Sequence, residues 1–502
     1  MSHTTSTQAC RSFRLVCPQE RAGAVEALLA AEGFSFSPEP FFPLARRLLH
    51  EPFPLGASLA ARFGYIYIQD RSSMLPPLAL RPPDEAAVLD MCASPGSKTG
   101  MLGQLVGMNG FVLGNEPSPK RLNTLRRNLQ AMNLLCCATC SHPGEALPLP
   151  GGSGARAVHE AESEPAAFSR ILLDPPCSGW GTAEKNPRVT SLWQGDKVKP
   201  LIGLQRKLLA EAARLLSQGG FLSYSTCTTN VAENEEQLRY ARDELGLECL
   251  ALPELPGFSF MDSPLPDVTG AWRVQGGDDG QGFFVALLHK PFGQCKPARA
   301  QRDEERGPLS VAAGGPLVNA GVRGRGAKDR AGNRRDKAAQ RLQESEGCLL
   351  APDSIASEGV DAAKLPEGLL AVFGQNVYFL PVAAQKLLAP QNTRLVWKGF
   401  ALGRMGRNGR VHVSAYLRAL MPTVAEARNR AFAVLDLEDC RPLHDMVSGR
   451  GIALDALAPA SVRSFSPPLG TGGGIAELGL YFQGLPLCRL QLRGRRALLP
   501  PG

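Results

Sequence analysis

No apolar run in the 502-residue chain approaches the roughly 20 residues that a bilayer-spanning helix requires; even Phe283 to Leu288 ends at His289-Lys290. Its beginning lacks a positively charged segment followed by an apolar core, so a secretory leader is not expected. Thirteen cysteines are an odd number, and Cys136 and Cys137 are adjacent, which argues against a secreted disulfide scaffold. Strong charge of one sign is also missing. Fifty-five Lys and Arg against 47 Asp and Glu leave +8, which allows a polyanionic partner without requiring one. These absences leave a cytoplasmic enzyme or nucleic-acid-handling protein, with no membrane partner. The length permits about two or three domains, each burying its own core.

The clearest shift in composition runs over residues 291–346, where aromatic residues vanish after Phe292 while Gly, Arg, Ala, Asp and Glu crowd together. This reads as a flexible basic linker. Its centre, Gly321 to Lys337, resembles an arginine-glycine tail able to touch phosphates; a solvated tether is the other reading. Before the linker, apolar runs alternate with segments of helical period, the pattern of an α/β fold with a parallel sheet. Strands are expected at Ala87–Met91, Gly110–Gly114, Ser169–Leu173 and Gly220–Ser225, and Leu122, Leu125 and Leu129 predict a helix over Lys120–Met132. Residues 11 to 50 form an amphipathic preface with Val25, Leu28 and Leu29 on one helical face, and a smaller region begins near Cys348.

The loop Cys92-Ala93-Ser94-Pro95-Gly96-Ser97-Lys98-Thr99-Gly100 follows a strand and opens a helix, where free N–H groups favour a carboxylate or phosphate. The first glycine of a nucleotide-triphosphate loop is missing, which disfavours that ligand. An acidic residue, Glu116, ends the next strand about 20 residues on, the place for an acceptor of ribose hydroxyls. A nucleoside-bearing cofactor follows. Two later loops each put a cysteine just after a strand: Asp174-Pro175-Pro176-Cys177-Ser178-Gly179 and Ser225-Thr226-Cys227-Thr228. One such cysteine reads as a small buried hydrophobe; two after successive strands, one beside Asp174, read as chemistry. Cys137 and Cys140 have C-x-x-C spacing with His142 nearby, but no second pair completes a tetrahedral set, so no metal is expected. Gln205 and Arg206 lie in a helix with the core stripe Leu208, Leu209 and Leu215, which reads as scaffold with a charged outer face.

In order along the chain, Gln69–Met74, Asp90–Thr99, Asn115-Glu116, Asp174–Gly179 and Tyr224–Cys227 resemble the RNA 5-methylcytosine methyltransferase family, over roughly residues 60 to 290. The resemblance implies a Rossmann-like α/β methyltransferase domain over 61–290, preceded by an RNA-positioning extension over 1–60, with Gly282–Ala286 as an antiparallel final strand. It implies S-adenosyl-L-methionine as cofactor, held by Asp90, Cys92, Ala93, Pro95, Gly96, Lys98, Glu116, Arg121, Glu145 and Asp174. It further implies that Cys227 adds to cytosine C6, that Cys177 assists C5 proton removal and product release, and that Asp174 bonds the cytosine edge. Two positions depart from the family pattern: Ser97 replaces a second glycine, and Glu145 stands where an adenine-contacting aspartate is usual.

Lys185, Asn186 and Arg188 follow the Pro-Cys loop and would hold RNA backbone, or else form an ordinary solvated loop. Residues 347–502 carry short strands and glycine turns similar to the PUA-like α+β domain of ribosomal RNA members of the family, with Arg404, Arg407 and Arg410 suited to phosphate; exposed arginines are also a common surface feature. The expected activity is monomeric RNA cytosine-C5 methylation, with small-subunit ribosomal RNA favoured and transfer RNA the alternative. A noncatalytic RNA-binding assembly factor is the rival of another class, and the presence of both thiols speaks against it. A DNA cytosine methyltransferase would place its nucleophile in the Pro-Cys loop.

Overall fold

The computed structural model describes residues 11–149, 168–183, 186–193, 195–277, 280–292, 348–350, 354–355, 359–387, 395–407, 409–466 and 476–500. Lys185 and the linker from residue 293 to 346 lie outside the described residues.

The N-terminal unit is an antiparallel sheet of β1 (Ser12–Leu15), β2 (Ser35–Pro38), β3 (Ala45–His50) and β4 (Ile66–Ile68), in the order β2-β3-β1-β4. Its helix α1 (Ala22–Ala31) buries Val25, Leu28 and Leu29, the face read from the sequence; α2 (Leu59–Arg62) follows, capped by the Ser58 side chain. Because β4 pairs with β1 through Phe13 and Ile68, this unit extends past residue 60.

The central sheet is built from β5 (Ala87–Asp90), β6 (Phe111–Asn115), β7 (Cys137–Cys140), β8 (Phe168–Leu173) and β9 (Leu216–Thr226), all parallel in the order β9-β8-β5-β6-β7. Leu89, Leu113, Ile171 and Leu222 are fully buried, as strands covered on both faces require. β10 (Glu248–Leu250), β11 (Trp272–Val274) and β12 (Phe283–His289) complete one side, with β12 antiparallel to β9. The sheet is flanked by α3 (Leu75–Leu80), α4 (Ser97–Val106), α5 (Pro119–Met132), α7 (Lys199–Leu215) and α8 (Glu235–Asp243), with α6 (Arg188–Leu192) in the connection from β8 to α7. α5 starts with Pro119 in its first turn, buries Leu122, Leu125, Leu129 and Met132, and stops at Asn133 in the left-handed region. Each buried leucine contributes about 1.5–3 kcal/mol of burial free energy. This is the expected Rossmann-like arrangement, and the strand order reverses between β5 and β8, where such sheets bind ligands at their carboxyl ends.

Among the described residues, the C-terminal region holds two sheets. One is β13 (Cys348–Leu350), β14 (Gly368–Phe373), β15 (Asn376–Pro381), β17 (Phe400–Met405) and β18 (Val411–Val413). The other comprises β19 (Val434–Leu437), β20 (Ile452–Ala453), β21 (Val462–Ser466), β22 (Ala476–Phe482), β23 (Leu485–Arg493) and β24 (Arg496–Leu498). The intervening β16 (Trp397–Lys398) leaves both and pairs antiparallel with β7 through Cys140 and Thr139, so this region adds a strand to the edge of the central sheet. Arg418 fastens the contact: its buried guanidinium donates to the carbonyls of Gly64 at 2.6 Å, Ala131 at 2.9 Å and Met132 at 3.2 Å, over the Tyr65 ring. Among the described residues, no helix is long and apolar enough to cross a membrane.

Candidate active site

Strand register brings the site together. Asp90 lies opposite Leu172, and Leu173 opposite Tyr224, so the loops after β5, β8 and β9 leave the sheet side by side. The loop after β5 turns at Gly96, whose φ of 107° suits glycine and whose missing Cβ would stand 3.0 Å from Leu125 Cδ1. Ser97, the departure from the family pattern, is the first residue of α4 and carries no such demand. Asp90 is turned back onto its own loop: it accepts from Thr99 Oγ1 at 2.7 Å and from the Cys92 N–H at 3.3 Å. Burial raises its carboxyl to about 6. It therefore shapes the loop from beneath.

Glu116, with its side chain 2% exposed at the end of β6, accepts from the Ser118 N–H at 2.8 Å and pairs with Arg121 at 3.3 Å. Arg121 also donates to the Ser94 carbonyl at 3.0 Å, tying the acidic strand end to the loop. The donor set fits a nucleoside bearing an amino acid: the Glu116 carboxylate for a ribose diol, and the opening turn of α4 for a carboxylate. Glu145 is exposed on a turn after β7. Glu116→Gln removes the acceptor charge with little change of shape, and cofactor affinity by calorimetry is expected to fall about 10-fold, the difference between a charged and a neutral hydrogen bond. An unchanged affinity would dismiss the ribose role.

Beyond the loop after β5 lies the pair of thiols. Cys177 Sγ is 3.3 Å from Cys227 Sγ, though the two sit on loops after different strands. Close packing makes this possible at Gly181, whose N–H donates to the Cys227 carbonyl at 3.1 Å and where a Cβ would meet the Gly282 carbonyl oxygen at 2.1 Å. The contact pushes Cys177 up and Cys227 down, as a Cys177 thiol donating to a Cys227 thiolate does; burial opposes the latter and the Lys98 ammonium assists it. Cys92, by contrast, is pushed up by burial and the surrounding carboxylates.

Lys98 was read as a cofactor-loop residue, and the fold gives it more. Its ammonium bonds Asp174 Oδ2 at 2.8 Å and lies 5.4 Å from the centre of the Phe283 ring. Burial works against the charge on Lys98, and Asp174 overrides it, so the net shift is upward. Ser225 Oγ holds the other Asp174 oxygen at 2.7 Å. Gln205 is a correction: it faces inward, fully buried, and donates to the Pro176 carbonyl and to Glu233, each at 3.0 Å. Its spacing of three and four residues from Leu208 and Leu209 sets it on their buried face of α7, away from the charged outer face expected of this helix. Asn186 and Arg188 are exposed at the start of α6. Arg404, Arg407 and Arg410 are exposed on β17 and the turn to β18. Cys136, Cys137 and Cys140 are buried, Cys140 Sγ reaching Asn115 Oδ1 at 3.4 Å.

A parallel sheet with this strand order, an antiparallel last strand and an acidic end to its second strand defines a Rossmann-like methyltransferase domain, the class that uses S-adenosylmethionine. Residues 77–289 match the family described as 16S rRNA methyltransferase RsmB/F. The chain is 33% identical over 287 residues to ribosomal RNA small subunit methyltransferase F of Cronobacter sakazakii, a match covering 56% of this chain and 57% of that protein. It is also 33% identical over 279 residues to the protein of the same name from Shewanella denitrificans, covering 53% and 51%. The chain thus spans about half the length of these curated relatives. Among solved structures, a methyltransferase homologue from Pyrococcus horikoshii is 29% identical over 56% of this chain and 87% of its own, with a TM-score of 0.46.

Proposed function

We propose that the chain is an S-adenosylmethionine-dependent RNA cytosine-C5 methyltransferase that forms 5-methylcytosine in small-subunit ribosomal RNA. The observation that carries this reading is the 3.3 Å contact between Cys177 and Cys227, with the Lys98–Asp174 pair beside it. Cytosine C5 is a poor nucleophile. A thiolate added to C6 loads electron density onto C5, and the lowered Cys227 thiol is the group suited to that addition. When bound, S-adenosylmethionine supplies the electrophilic methyl group that C5 accepts. Asp174, oriented by Lys98 and Ser225, bonds the edge of the cytosine and stabilises the ring as the C6–S bond forms. Cys177, whose thiol is held up by its neighbour, becomes a base once its proton has passed to solvent; it takes the C5 proton, and the electron pair of that C–H bond re-forms the C5–C6 double bond as the C6–S bond breaks and Cys227 leaves as a thiolate.

The target base has to be unstacked for a thiolate to approach its face, so single-stranded or distorted RNA is the substrate form. Asn186 and Arg188 near the Cys177 loop, and Arg404, Arg407 and Arg410 on a PUA-like C-terminal region, contact the phosphates. Bisulfite sequencing of total RNA from cells with and without the protein tests the reading. One cytosine mark lost from small-subunit ribosomal RNA is expected. A mark lost from transfer RNA instead would overturn the substrate and keep the chemistry, and no lost mark would overturn both.

A further inference from the structure

The two thiols are held 3.3 Å apart by something other than their own contact, which is too weak to fix two loops. Between those loops lies the fully buried side chain of Glu233, in the turn that precedes α8. Its Oε1 accepts from the Ser178 N–H at 2.9 Å and from Gln205 Nε2 at 3.0 Å. Its Oε2 accepts from Ser178 Oγ and from Asn230 Nδ2 at 3.0 Å. Ser178 is the residue after Cys177, and Asn230 lies three beyond Cys227. The Ser178 hydroxyl, already donating to Glu233, is 2.7 Å from Thr228 Oγ1, the hydroxyl next to Cys227, which therefore donates to it. Gln205 also grips the Pro176 carbonyl, one residue ahead of Cys177. Tyr224 OH anchors the Glu233 carbonyl at 2.7 Å to the body of β9.

A buried acidic side chain with four donors on two oxygens is satisfied as an acceptor and has nothing left for a ligand. It does not touch substrate space. What it does is join the residue following one thiol to the residues following the other. We infer that Glu233 is a positioning residue that holds Cys177 against Cys227, and so sets how readily Cys227 forms a thiolate and how fast Cys177 resolves the covalent intermediate. This rests on the two-thiol chemistry proposed above, but its geometry concerns the thiols alone.

Glu233→Gln is the informative change. An amide has one acceptor oxygen, so its NH₂ group must face either the Ser178 N–H and the Gln205 NH₂ or the Ser178 hydroxyl and the Asn230 NH₂. The hydroxyl can turn round; the Gln205 and Asn230 NH₂ groups and the backbone N–H cannot become acceptors. At least one donor is left unmatched whichever way the amide sits, and the two loops part.

The test is the rate of Cys227 alkylation by iodoacetamide against pH, read by mass spectrometry of its peptide in the full-length protein without RNA. In folded Glu233→Gln the rate at pH 7 is expected to drop roughly tenfold towards that of Cys177→Ala, the loss that follows removal of a hydrogen bond to a charged group. With RNA, kcat is expected to fall while KM stays within about twofold, since no RNA contact is touched. A parent-like alkylation profile in a folded variant would overturn the inference. Should that variant not fold, Ser178→Ala removes the hydroxyl shared by Glu233 and Thr228 and carries the same expectation and the same refutation. If methyl transfer survives loss of Cys227, the two-thiol reading fails, and the alkylation profile still decides what Glu233 does.

Discussion

Replacing Cys227 with alanine is expected to lower methyl transfer by at least about 10³-fold, the scale on which removing an activated nucleophile disables a catalytic unit. The reason lies in the asymmetry of the pair. Cys227 receives a hydrogen bond from Cys177 and the field of Lys98, both of which favour its thiolate, while Cys177 is pushed the other way by the same contact. The contact therefore favours the thiolate at Cys227 over the one at Cys177. The change removes a small side chain at a partly exposed position, so the fold and cofactor affinity are expected to persist. Methyl incorporation from labelled cofactor into small-subunit ribosomal RNA is the measurement. Activity near that of the parent, in protein that still binds cofactor, would take the nucleophile role away from Cys227.

How much of this was open to a reader of the sequence depends on distance along the chain. Cys177, Cys227, Asp174 and Glu116 were legible because each stands directly after an apolar strand, and α/β sheets gather such positions at one edge. What those residues do to each other was not. Lys98 and Asp174 are 76 residues apart and meet only because β5 and β8 pair in a particular register. Gln205 shares the helix face of Leu208 and Leu209, and no periodicity says that a polar side chain on that face reaches the Pro176 carbonyl. Glu233 stands in an acidic run, Glu233-Asn234-Glu235-Glu236, whose composition is that of an ordinary solvated helix start. In the fold, Glu233, Asn234 and Glu235 are buried. Three consecutive polar residues at the start of a helix, buried because Gln205, Thr226 and Arg273 from other elements meet them, is a signal that composition cannot carry.

The C-terminal region shows the same limit in another form. Its strand-and-turn pattern was readable in part: β17 with β18 forms a hairpin where a glycine turn is expected, whereas β14, which pairs with β15, was not read as a strand. The destination of Trp397-Lys398 was not readable, because a two-residue strand is defined by its partner rather than by its own side chains. That partner is β7, in the central sheet. The pairing satisfies backbone groups that an open edge would leave exposed. The N–H of Val396 adds a bond to His142 Nε2 at 3.0 Å, and burial lowers the tendency of that imidazole to protonate, keeping it an acceptor. The region proposed to hold RNA is thereby fixed to the sheet that holds the chemistry.

Cys177→Ala is expected to behave differently from Cys227→Ala, and the difference separates the two roles. With the nucleophile intact and the base gone, addition to C6 and methylation of C5 still proceed, but the C5 proton stays and Cys227 cannot leave. Turnover is expected to fall ~10²-fold or more, the share that general-base catalysis usually supplies. Protein should remain joined to RNA as a band of retarded mobility on a denaturing gel, absent from the parent and from the double variant lacking both thiols. Removing the Cys177 S–H also withdraws the hydrogen bond that holds Cys227 down, so the acid limb of adduct formation moves to higher pH and the adduct forms more slowly at a fixed pH below it. A variant that binds RNA and cofactor, turns over slowly and yet gives no shifted band at any pH would show that Cys177 acts before the covalent bond forms, as the donor that prepares Cys227, and not in its release. The 3.3 Å contact is compatible with both duties, and the order in which they fail distinguishes them.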